Sequence, residues 1–569
     1  MSETQKMDPR QALLISALSN AIKHQNLPKA GAVLGMVLSA HPELKPQAGL
    51  MKGMLADIIS EVESLSDEER RTRLHELAPD QFAQATERKV KEKRDASLPD
   101  LPGAEHGVVM RFAPNPSGPL HLGHARAAFL NDAYVKRYGG KYVLRMEDTD
   151  PKRVDPLAYE MIAEDISWMG IGITDIVYQS DRFSLYYDTG RALLEKGHAY
   201  VCECESEAFR NLKMQKQACP CRDRDRSENL VMWEKMLDGA YAEGSISVRL
   251  KTDMQHPDPA IRDFPLFRVL TSKAHERIDA CVYPLMNLSV AVDDHALGMT
   301  HIIRGKDHIA NTRRQEYIFD YLGWDKPYYY HYGRMGIEGL VLSTSAMREG
   351  ISSGLYSGWD DPKLGTMRAL KRRGILPEAI SKTMTEIGVG ETDISFSWDN
   401  LYAQNKSFVD PVSDRFFFVA DPVEMIVSGA EPQQAEAQKF PGDPKRGVRV
   451  IPFDRKVLVQ RSDLDGEPHM LRLKDLFNVT PEYGSSPFIG AYAGDALADA
   501  RAAKAPIVQW LPPSACTPCQ VHRPEGVIHG FCEPEVANYI GKTVQFERTG
   551  FVFVDSVCDE GIIVYYSHR

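Results

Sequence analysis

The sequence predicts a multidomain α/β protein, and three observations along its 569 residues lead to that prediction. Before residue 98, apolar residues recur at helical spacing. From about residue 107, strand and helix patterns alternate, as in a parallel sheet with crossover helices. Beyond about residue 408, short β-branched and aromatic runs are separated by Pro, Gly and Asp, which indicates all-β structure. A chain of this length is too long for one core.

Composition narrows the class of protein. Hydrophobic residues make up 43% and charged residues 26%, and no apolar run approaches the ~20 residues of a membrane span. The first ten residues include Glu3 and Asp8 and do not read as a signal peptide, so we expect a cytoplasmic protein with no membrane partner. The net charge of −11 argues against a surface uniformly coated for nucleic acid, although a locally basic groove is compatible with it.

Residues 1–98 are predicted to form a helical appendage. Two apolar stripes support this, one formed by Leu13, Leu14, Ala17, Leu18, Ala21 and Ile22, the other by Leu55, Ile58, Ile59 and Val62. A basic segment follows, made of Arg88, Lys89, Lys91, Lys93 and Arg94. Charge runs of this kind are most often solvated helix faces, and contact with RNA or a protein partner is the alternative.

The rest of the chain is organised around Arg111–His124, RFAPNPSGPLHLGH, which reads as the end of a strand, a Pro/Gly turn and the start of a helix. This order places His121 and His124 on the first helical turn, where free N–H groups and a partial positive charge suit a phosphate. Gly123 between them lets a ligand approach the backbone. A bare HxGH carries little information, so solvated histidines on an ordinary helix are the alternative.

Acidic residues follow the next predicted strand, Lys141–Glu147. Glu147, Asp148 and Asp150 lie where that strand ends, and ligands of parallel sheets bind beyond the carboxyl ends of strands. Glu147 can accept hydrogen bonds from an ammonium group, and Arg111 can hold a carboxylate with two hydrogen bonds. The alternative for the acids is a solvated turn.

Two Cys-x-Cys pairs with fourteen residues between them are the candidate metal ligands: Cys202, Cys204, Cys219 and Cys221. Four thiolates can bind Zn²⁺ tetrahedrally. The residues between the pairs are rich in Lys, Arg and Gln and cannot build a large core, so we expect a structural zinc ion. Nine cysteines with four clustered also favour a reducing compartment over a disulfide framework. Unmetallated thiols on a surface insertion are the alternative.

The stretch Arg111–His124 resembles the nucleotide-binding signature of class I aminoacyl-tRNA synthetases, and Arg145–Asp150, RMEDTD, looks like the second signature of their glutamyl/glutaminyl branch. The resemblance, to glutamyl-tRNA synthetases of the archaeal type, covers roughly residues 107–569. It implies a Rossmann-like catalytic domain with an inserted acceptor-binding domain. The predicted domains are 1–98, the helical appendage; 104–191 and 283–350, the two halves of the catalytic domain; 192–282, the insertion with the cysteines; 351–407, a helical junction; and 408–569, anticodon-binding β-barrels.

The same resemblance implies an activity and a set of site residues. The implied activity is attachment of L-glutamate to the 3′ end of tRNA(Glu) through a glutamyl-adenylate. ATP is the second substrate, and Mg²⁺ is expected to bind together with its phosphates. Archaeal relatives often charge tRNA(Gln) as well, which favours it as a second acceptor. The implied ATP and catalytic residues are Gly118, His121, Gly123, His124, Ser343, Thr344 and Ser345. The implied glutamate residues are Arg111, Glu147, Tyr283, Asn287 and Arg304.

Several of these site positions allow a second interpretation or differ from the residue that is usual in the family. Arg304 implies glutamate rather than glutamine, because a buried guanidinium rejects a neutral amide; a structural salt bridge to Asp293 or Asp307 is the alternative. Asn287 departs from the Asp that archaeal members often have. We expect the parallel sheet to resume at residues 283–287. Lys371, Arg372 and Arg373 either contact the inner corner of the tRNA or form a solvated face.

The mobile ATP loop of the family ends differently here, because Ala346 stands where archaeal members often have lysine. Arg348 or Mg²⁺ is then left to neutralise the phosphates. Two other functions remain as alternatives: a glutaminyl-tRNA synthetase, which Arg304 argues against, and a non-catalytic tRNA-binding paralogue, which the missing lysine suggests.

Overall fold

The computed structural model describes residues 8–24, 28, 30–79, 81–82 and 98–569. The chain divides into two compact units, Met1–Ala96 and Ser97–Arg569. The basic segment at residues 88–94 lies outside the described residues. Within the described ranges, no helix is both long enough and apolar enough to cross a membrane.

The first unit is helical, as predicted. Its helices are α1 (Pro9–His24), α2 (Ala30–Ala40), α3 (Ala48–Glu63) and α4 (Asp67–Leu77). The two apolar stripes of the sequence meet in one core, where Leu13 and Leu18 pack with Ile58 and Val62. A reciprocal pair of hydrogen bonds between Ser66 and Glu69 starts α4 and satisfies two backbone N–H groups of its first turn.

The second unit begins with three parallel strands joined by helices. In chain order these are β1 (Val108–Phe112), α5 (Leu122–Tyr138), β2 (Gly140–Met146), α6 (Pro156–Trp168), β3 (Asp175–Tyr178) and α7 (Phe183–Glu195). The strand order is β1-β2-β3. Gly140 has a φ of +123°, and a Cβ there would lie 1.9 Å from the carbonyl oxygen of Val108. Only glycine lets β2 start this close to β1.

An antiparallel sheet of four strands interrupts the parallel one. Its elements are β4 (Ala199–Cys202), α8 (Ser206–Met214), α9 (Arg226–Leu237), β5 (Ser247–Leu250), β6 (Pro265–Val269) and β7 (Val282–Pro284). The expectation that the parallel sheet resumes at residues 283–287 is wrong. Tyr283 pairs with Arg268 of β6 in this antiparallel sheet, and Met286 already begins a helix. A short apolar run does not tell which strand it will pair with.

The parallel layer resumes one strand later. The elements are α10 (Met286–Ala296), β8 (His301–Gly305), α11 (Ile309–Leu322) and β9 (Tyr328–Tyr332). Strands β8 and β9 are parallel. The backbone N–H of Thr300 donates to the carbonyl of Val109 at 2.9 Å, which places β8 beside β1. The layer therefore brings the ends of β1, β2 and β8 to one edge, where the candidate site lies.

A helical segment follows, with one small sheet. It contains β10 (Met335–Gly336), α12 (Thr344–Ser352), α13 (Met367–Arg372), α14 (Pro377–Ile387), β11 (Ile394–Ser395) and α15 (Trp398–Val409). Its apolar residues Met367, Leu370, Ile380 and Leu401 pack into the same core as the helix that follows β1. This packing holds the helical segment against the parallel layer.

The C-terminal region is built of strands, with one short α-helix and several 3-10 turns, which confirms the predicted barrel-like architecture. The elements are β12 (Arg415–Phe416), β13 (Phe418–Ala420), β14 (Pro422–Ser428), β15 (Gln433–Gln438), β16 (Val448–Phe453), β17 (Lys456–Gln460), β18 (Leu471–Leu473), β19 (Asn478–Glu482), β20 (Ile489–Tyr492), α16 (Leu497–Ala502), β21 (Ile507–Val508), β22 (Trp510–Leu511), β23 (Thr517–Arg523), β24 (Gly526–Cys532), β25 (Thr543–Phe546), β26 (Gly550–Cys558) and β27 (Gly561–His568). They form two seven-stranded sheets, with the orders β12-β25-β26-β27-β23-β24-β13 and β21-β18-β19-β20-β14-β17-β22, and a separate pair of β15 with β16.

Candidate active site

The two histidines at the start of α5 are held by backbone groups and by each other. Nδ1 of His121 accepts a hydrogen bond from the N–H of Gly123 at 3.1 Å, and Nδ1 of His124 accepts one from the N–H of His121 at 3.2 Å. The rings stack with centroids 3.8 Å apart. Because each Nδ1 is an acceptor, the hydrogen of each neutral ring is on Nε2. Each ring therefore keeps one N–H donor for a ligand.

Both imidazoles are uncharged at neutral pH. Burial lowers the pKa of His121 to about 4. Burial also lowers the pKa of His124 well below its usual value, and the neighbouring His121 lowers it further. Near pH 7 the pair can therefore donate hydrogen bonds to phosphate oxygens without adding a net charge.

The two predicted ATP-binding glycines have packing reasons of their own. A Cβ on Gly123 would lie 2.9 Å from Cε1 of His121, so a side chain there would displace the stacked ring. A Cβ on Gly118 would lie 2.5 Å from Cγ2 of Thr344. The second contact shows that the Ser343–Ser345 loop lies directly against the signature turn. The structure thus brings together the two segments that sequence analysis assigned to ATP.

The Ser343–Ser345 loop is exposed, and hydrogen bonds within the loop and to the start of α12 position Ser343. Ser343 caps α12 by accepting from the N–H of Ala346 at 3.4 Å, and its hydroxyl lies 2.9 Å from that of Ser345. Ser343, Ser345 and Ala346 are exposed. The cation of α12, Arg348, donates to Asp155 at 2.7 Å and to the carbonyl of Ser117. In this conformation its guanidinium is bound to protein acceptors.

A cavity of about 260 Å³ opens at the ends of β1, β2 and β8. Four of the predicted residues line it together: Arg111, His124, Glu147 and Arg304. Tyr283 and Asn287 are not among its lining residues. Tyr283 is buried against Phe183, with ring centroids 5.6 Å apart. The buried Oδ1 of Asn287 has no hydrogen-bond partner among the described residues.

Charges on one side of the cavity are balanced by an aspartate that sequence analysis missed. The buried Asp294 accepts from Nη1 of Arg145 at 2.7 Å and from Nε of Arg111 at 3.2 Å. Nη2 of Arg145 also donates to Glu147 at 3.1 Å. Burial alone would raise the pKa of Asp294, but the two guanidiniums hold it below its usual value. The available signal was an Asp-Asp pair within an otherwise apolar helix.

Arg304, on the other side of the cavity, has no carboxylate within 4.0 Å among the described residues. It is only 6% exposed, and its Nη2 donates to the neutral side chains of Thr312 and Gln315, the latter at 2.9 Å. Its Nε has no hydrogen-bond partner among the described residues. Burial, followed by repulsion from Arg111, lowers the pKa of Arg304 to about 10, although Asp294 and Glu147 offset part of this effect. A buried guanidinium without a directly paired carboxylate is costly, and an anion in the cavity would reduce that cost.

The alternative of a structural salt bridge for Arg304 does not hold in this structure. Asp293 is taken by Arg182, whose Nε donates to it at 2.6 Å. Asp307 lies 3.5 Å from Nε2 of His308. Across the described ranges, no carboxylate forms an ion pair with Arg304 within 4.0 Å. The guanidinium therefore remains available to a ligand.

The four predicted cysteines converge in the insertion. Their sulfur atoms all lie within 4.8 Å of one another, with 3.9 Å between Cys202 and Cys219 and 3.7 Å between Cys204 and Cys221. Zn–S bonds of about 2.3 Å in a tetrahedron place sulfurs about 3.8 Å apart. Disulfide bonding would need about 2 Å. The donor set and its spacing therefore fit one tetrahedral soft-metal ion.

The basic run at the end of α13, residues 371–373, does not form one charged surface. Arg373 is 3% exposed and donates to the backbone carbonyls of Tyr566 and Ser567 in β27, at 3.2 and 3.0 Å. Arg372 pairs with Asp360 at 2.9 Å. Lys371 is exposed. Of the three, only Lys371 presents its charge freely to an RNA phosphate in this structure, and Arg373 instead ties the helical segment to the C-terminal sheets.

Comparison with known families identifies the class first. The family model for class I tRNA synthetases (E and Q), catalytic domain, matches residues 107–411. Two models for the anticodon-binding domain of the same group match residues 413–485 and 507–555. The chain belongs to this family of class I aminoacyl-tRNA synthetases.

The relatives specify the branch. A protein named glutamate–tRNA ligase from Methanospirillum hungatei is 59% identical, covering 99% of this chain and 100% of the relative. One of the same name from Methanoculleus marisnigri is 57% identical, with coverage of 99% and 100%. A crystal structure of a glutamate tRNA ligase from Elizabethkingia meningosepticum is 21% identical with a TM-score of 0.39, covering 54% of this chain and 70% of that one.

Proposed function

We propose that the protein attaches L-glutamate to the 3′ end of tRNA(Glu), using ATP and passing through a glutamyl-adenylate. The observation that carries the proposal is Arg304, a buried guanidinium that lines the cavity at the ends of the parallel strands and has no acidic partner among the described residues. The relatives named glutamate–tRNA ligase, matched over nearly the whole chain, support the same activity.

The charges of the cavity favour glutamate over glutamine. Arg111 and Arg304 both line it, and glutamate brings two carboxylates where glutamine brings one. We assign the side-chain carboxylate to Arg304, because a neutral amide would leave that guanidinium buried and unpaired. Glu147, half of whose carboxylate is bound by Arg145, is assigned to the substrate ammonium, and Arg111 to a substrate carboxylate.

In the first step the α-carboxylate oxygen of glutamate attacks the α-phosphorus of ATP. The bond between that phosphorus and the bridging oxygen breaks, and pyrophosphate leaves with the electron pair. Nε2–H groups of His121 and His124 donate to phosphate oxygens, and Ser343, Thr344 and Ser345 bind the triphosphate from the other side. No covalent protein nucleophile is needed, because the residues orient the two reactants and stabilise charge. Mg²⁺ accompanies the phosphates and shields their charge.

In the second step the 2′-hydroxyl of the terminal tRNA adenosine attacks the acyl carbon. The ester forms, AMP leaves, and the hydroxyl proton goes to the phosphate side or to solvent. The antiparallel insertion is assigned to the acceptor end and the C-terminal sheets to the anticodon. Lys371 is assigned to the tRNA, whereas Arg372 is paired with Asp360 and Asp555. We also propose tRNA(Gln) as a second acceptor.

Zinc at Cys202, Cys204, Cys219 and Cys221 is proposed as structural. Four sulfur ligands would fill a tetrahedral ion, so no position would remain open for catalysis. Around them only a small apolar core packs, built on Tyr200 and Phe209, so a metal would add stability where packing is sparse.

The proposal also covers the location of the protein, a protein partner and the domain boundaries. Cytoplasmic location agrees with the cysteines of the described residues, all of which are free thiols. A protein partner is assigned to the N-terminal helical unit, which no step of the reaction uses. The domain boundaries drawn from the sequence stay predictions.

The test is attachment of radiolabelled glutamate or glutamine to purified tRNA(Glu) and tRNA(Gln), with ATP and Mg²⁺. Glutamate on tRNA(Glu) is the expected result, and the tRNA(Gln) lanes report the second acceptor. Attachment of glutamine alone would overturn the role of Arg304. If no amino acid is attached while tRNA still binds, the chain is a tRNA-binding protein, and Ala346 in the exposed loop is the reason to examine first.

A further inference from the structure

A second cavity, of about 540 Å³, lies behind the signature turn and outside the amino-acid site. Four segments form it: α6, residues 359–360, α13 and β26. Its volume falls within the ~300–1,000 Å³ of small-molecule sites. None of the residues assigned to ATP or glutamate lines it.

Three aromatic side chains line this cavity: Trp168, Trp359 and Phe553. Trp168 rests on the core that also holds α5, and Trp359 rests on the small apolar cluster around Met347. Each of the three is only partly buried, and none of their rings stacks on another aromatic ring of the described residues. Rigid, partly open aromatic faces of this kind suit a planar ligand, and base–aromatic stacking is sequence-tolerant.

The carboxylates of the cavity are already paired. Arg368 binds Glu164 and lies 3.4 Å from Asp165. The other oxygen of Asp165 accepts the backbone N–H of Leu120 at 2.8 Å. The two acids of the α6 side thus share one guanidinium. Burial raises the pKa of Asp165 to about 7, so this carboxyl is partly protonated near neutral pH.

On the opposite side, the remaining two acids share Arg372, which donates to Asp360 at 2.9 Å and to Asp555 at 3.3 Å. The lining thus carries three cations against four carboxylates. Lys371, between the two arginines on α13, is exposed and is the one cation of the lining without an ion pair among the described residues. It offers a ligand an ammonium group beside three aromatic faces.

We propose that this cavity is a second nucleotide-binding site, in which a base lies against Trp168, Trp359 or Phe553 and its phosphate pairs with Lys371. The nucleotide has two possible sources. One is an unstacked nucleotide of bound tRNA, a source that rests on the proposed function. The other is a free nucleoside monophosphate, which does not. Lys371 and Trp168 also line the neighbouring groove of about 820 Å³ along the β-sheet region, so an extended RNA strand has a path out of the cavity.

The first arm of the test uses UMP and AMP in calorimetric titrations of the full-length protein. Its amino-acid site is first saturated with a stable glutamyl-adenylate analogue, so that binding there is blocked. We expect one further nucleotide per chain if free nucleotides are the source, and at least a 10-fold loss of affinity in Lys371→Ala. The matched control is Lys326→Ala, which removes the same charge from an ion pair with Asp320 outside the cavity.

The second arm measures tRNA(Glu) binding and glutamylation. If the tRNA is the source, Trp168→Leu raises the tRNA Kd by about 5- to 100-fold, as loss of one stacked base does, and Trp168→Phe restores most of it. Lys371→Ala lowers the salt dependence of tRNA binding by about one unit of slope, whereas Lys326→Ala does not. Ultraviolet cross-linking then attaches a tRNA base to a peptide containing Trp168, Trp359 or Phe553.

Failure of this proposal and failure of the proposed function give different results. Normal glutamylation, with unchanged tRNA Kd and KM in both cavity variants and no added binding of UMP or AMP, would overturn the second site and the assignment of Lys371 to the tRNA, while the glutamylation activity itself would stand. Binding of spermidine that is lost in Trp168→Leu, without nucleotide binding, would also overturn it, because the cavity would then hold an organic cation. Absence of glutamylation by the unmodified protein overturns the proposed function, and the UMP and AMP titrations still decide the second site.

Discussion

The amino-acid cavity and the cysteine-bearing insertion both contain groups whose charge is not balanced by neighbouring groups of the described residues. The charge is positive in the cavity and, for sulfurs that bind a metal, negative in the insertion. In the cavity, Arg304 is a buried cation with no carboxylate within 4.0 Å among the described residues. In the insertion, four sulfurs, which are anionic as metal ligands, lie within 4.8 Å of one another. A transient substrate suits the first, and a tightly held ion is proposed for the second, because a structural metal ion contributes directly to folding. Unbalanced buried groups thus indicate the charge of the missing partner.

The largest effect is expected from breaking the insertion. The substitution Cys219→Ser removes one of the four proposed zinc ligands. Structural zinc contributes about 10 kcal/mol or more of apparent folding free energy. We expect bound zinc, measured by mass spectrometry, to fall from about one per chain to near zero, and the melting temperature to drop. Cys558→Ser, at an exposed cysteine outside the cluster, is the control. An unchanged metal content in Cys219→Ser would rule out the four-cysteine site.

The second prediction removes the carboxylate that balances the charges on one side of the cavity. Asp294→Asn leaves Arg111 and Arg145 buried without their shared acid. Breaking a buried ion pair by removing one partner costs about 3–5 kcal/mol. The free energy of unfolding in urea should fall by that amount. Asp100→Asn, which removes an exposed acid paired with Arg137, should change it by less than about 1 kcal/mol.

Arg304→Gln tests the unbalanced side directly, and stability and activity should move in opposite directions. Loss of one partner of a buried charge pair costs about 2–5 kcal/mol, so kcat/KM for glutamate should fall by about 30- to 4,000-fold. The free protein should become more stable, by up to about 2 kcal/mol, because an unpaired buried charge is gone. Steady-state kinetics and urea unfolding measure the two. A protein that lost stability would show that Arg304 is a structural partner after all.

The smallest effect concerns the histidines, whose pKa values are lowered by burial so that both rings are neutral near pH 7. A pKa of about 4 for His121, against 6.5 in the unfolded chain, means that only the unfolded chain takes up this proton between pH 6.5 and 4. This site therefore does not affect stability above pH 6.5 and destabilises the fold as the pH falls toward 4. The kcat/KM for ATP should stay flat from pH 8 to about 5.5. A limb at pH 6.5 that disappears in His121→Asn would contradict this.

Sequence patterns predicted much of the architecture, because helices, strands and signatures are local. The stripe from Leu13 to Ile22 became α1, the run from Val108 became β1, and the short C-terminal runs became strands of two sheets. The pairing of Tyr283 was wrong, because strand partners lie far apart in the chain. Cysteine spacing predicted a cluster correctly, since thiol chemistry leaves few other uses for four clustered residues.

Side-chain partnerships could not be predicted in the same way. The run Lys371, Arg372, Arg373 reads as one basic patch, but its members have three different environments. Asp294 drew no attention in the sequence, and in the structure it neutralises two arginines. Tyr283 and Asn287, assigned to glutamate by resemblance, do not line the cavity.

The class of protein, the order of its regions and the residue types of the site could be predicted from the amino-acid sequence, because these depend on local periodicity and on chemistry carried by single residues. Which charges are balanced, and which remain for a ligand, became visible in the folded arrangement. Arg111 and Arg304 are the same residue type, and what separates them is a carboxylate at 3.2 Å from one and none within reach of the other among the described residues. Electrostatic energy depends on distance through space, and distance along the chain does not report it.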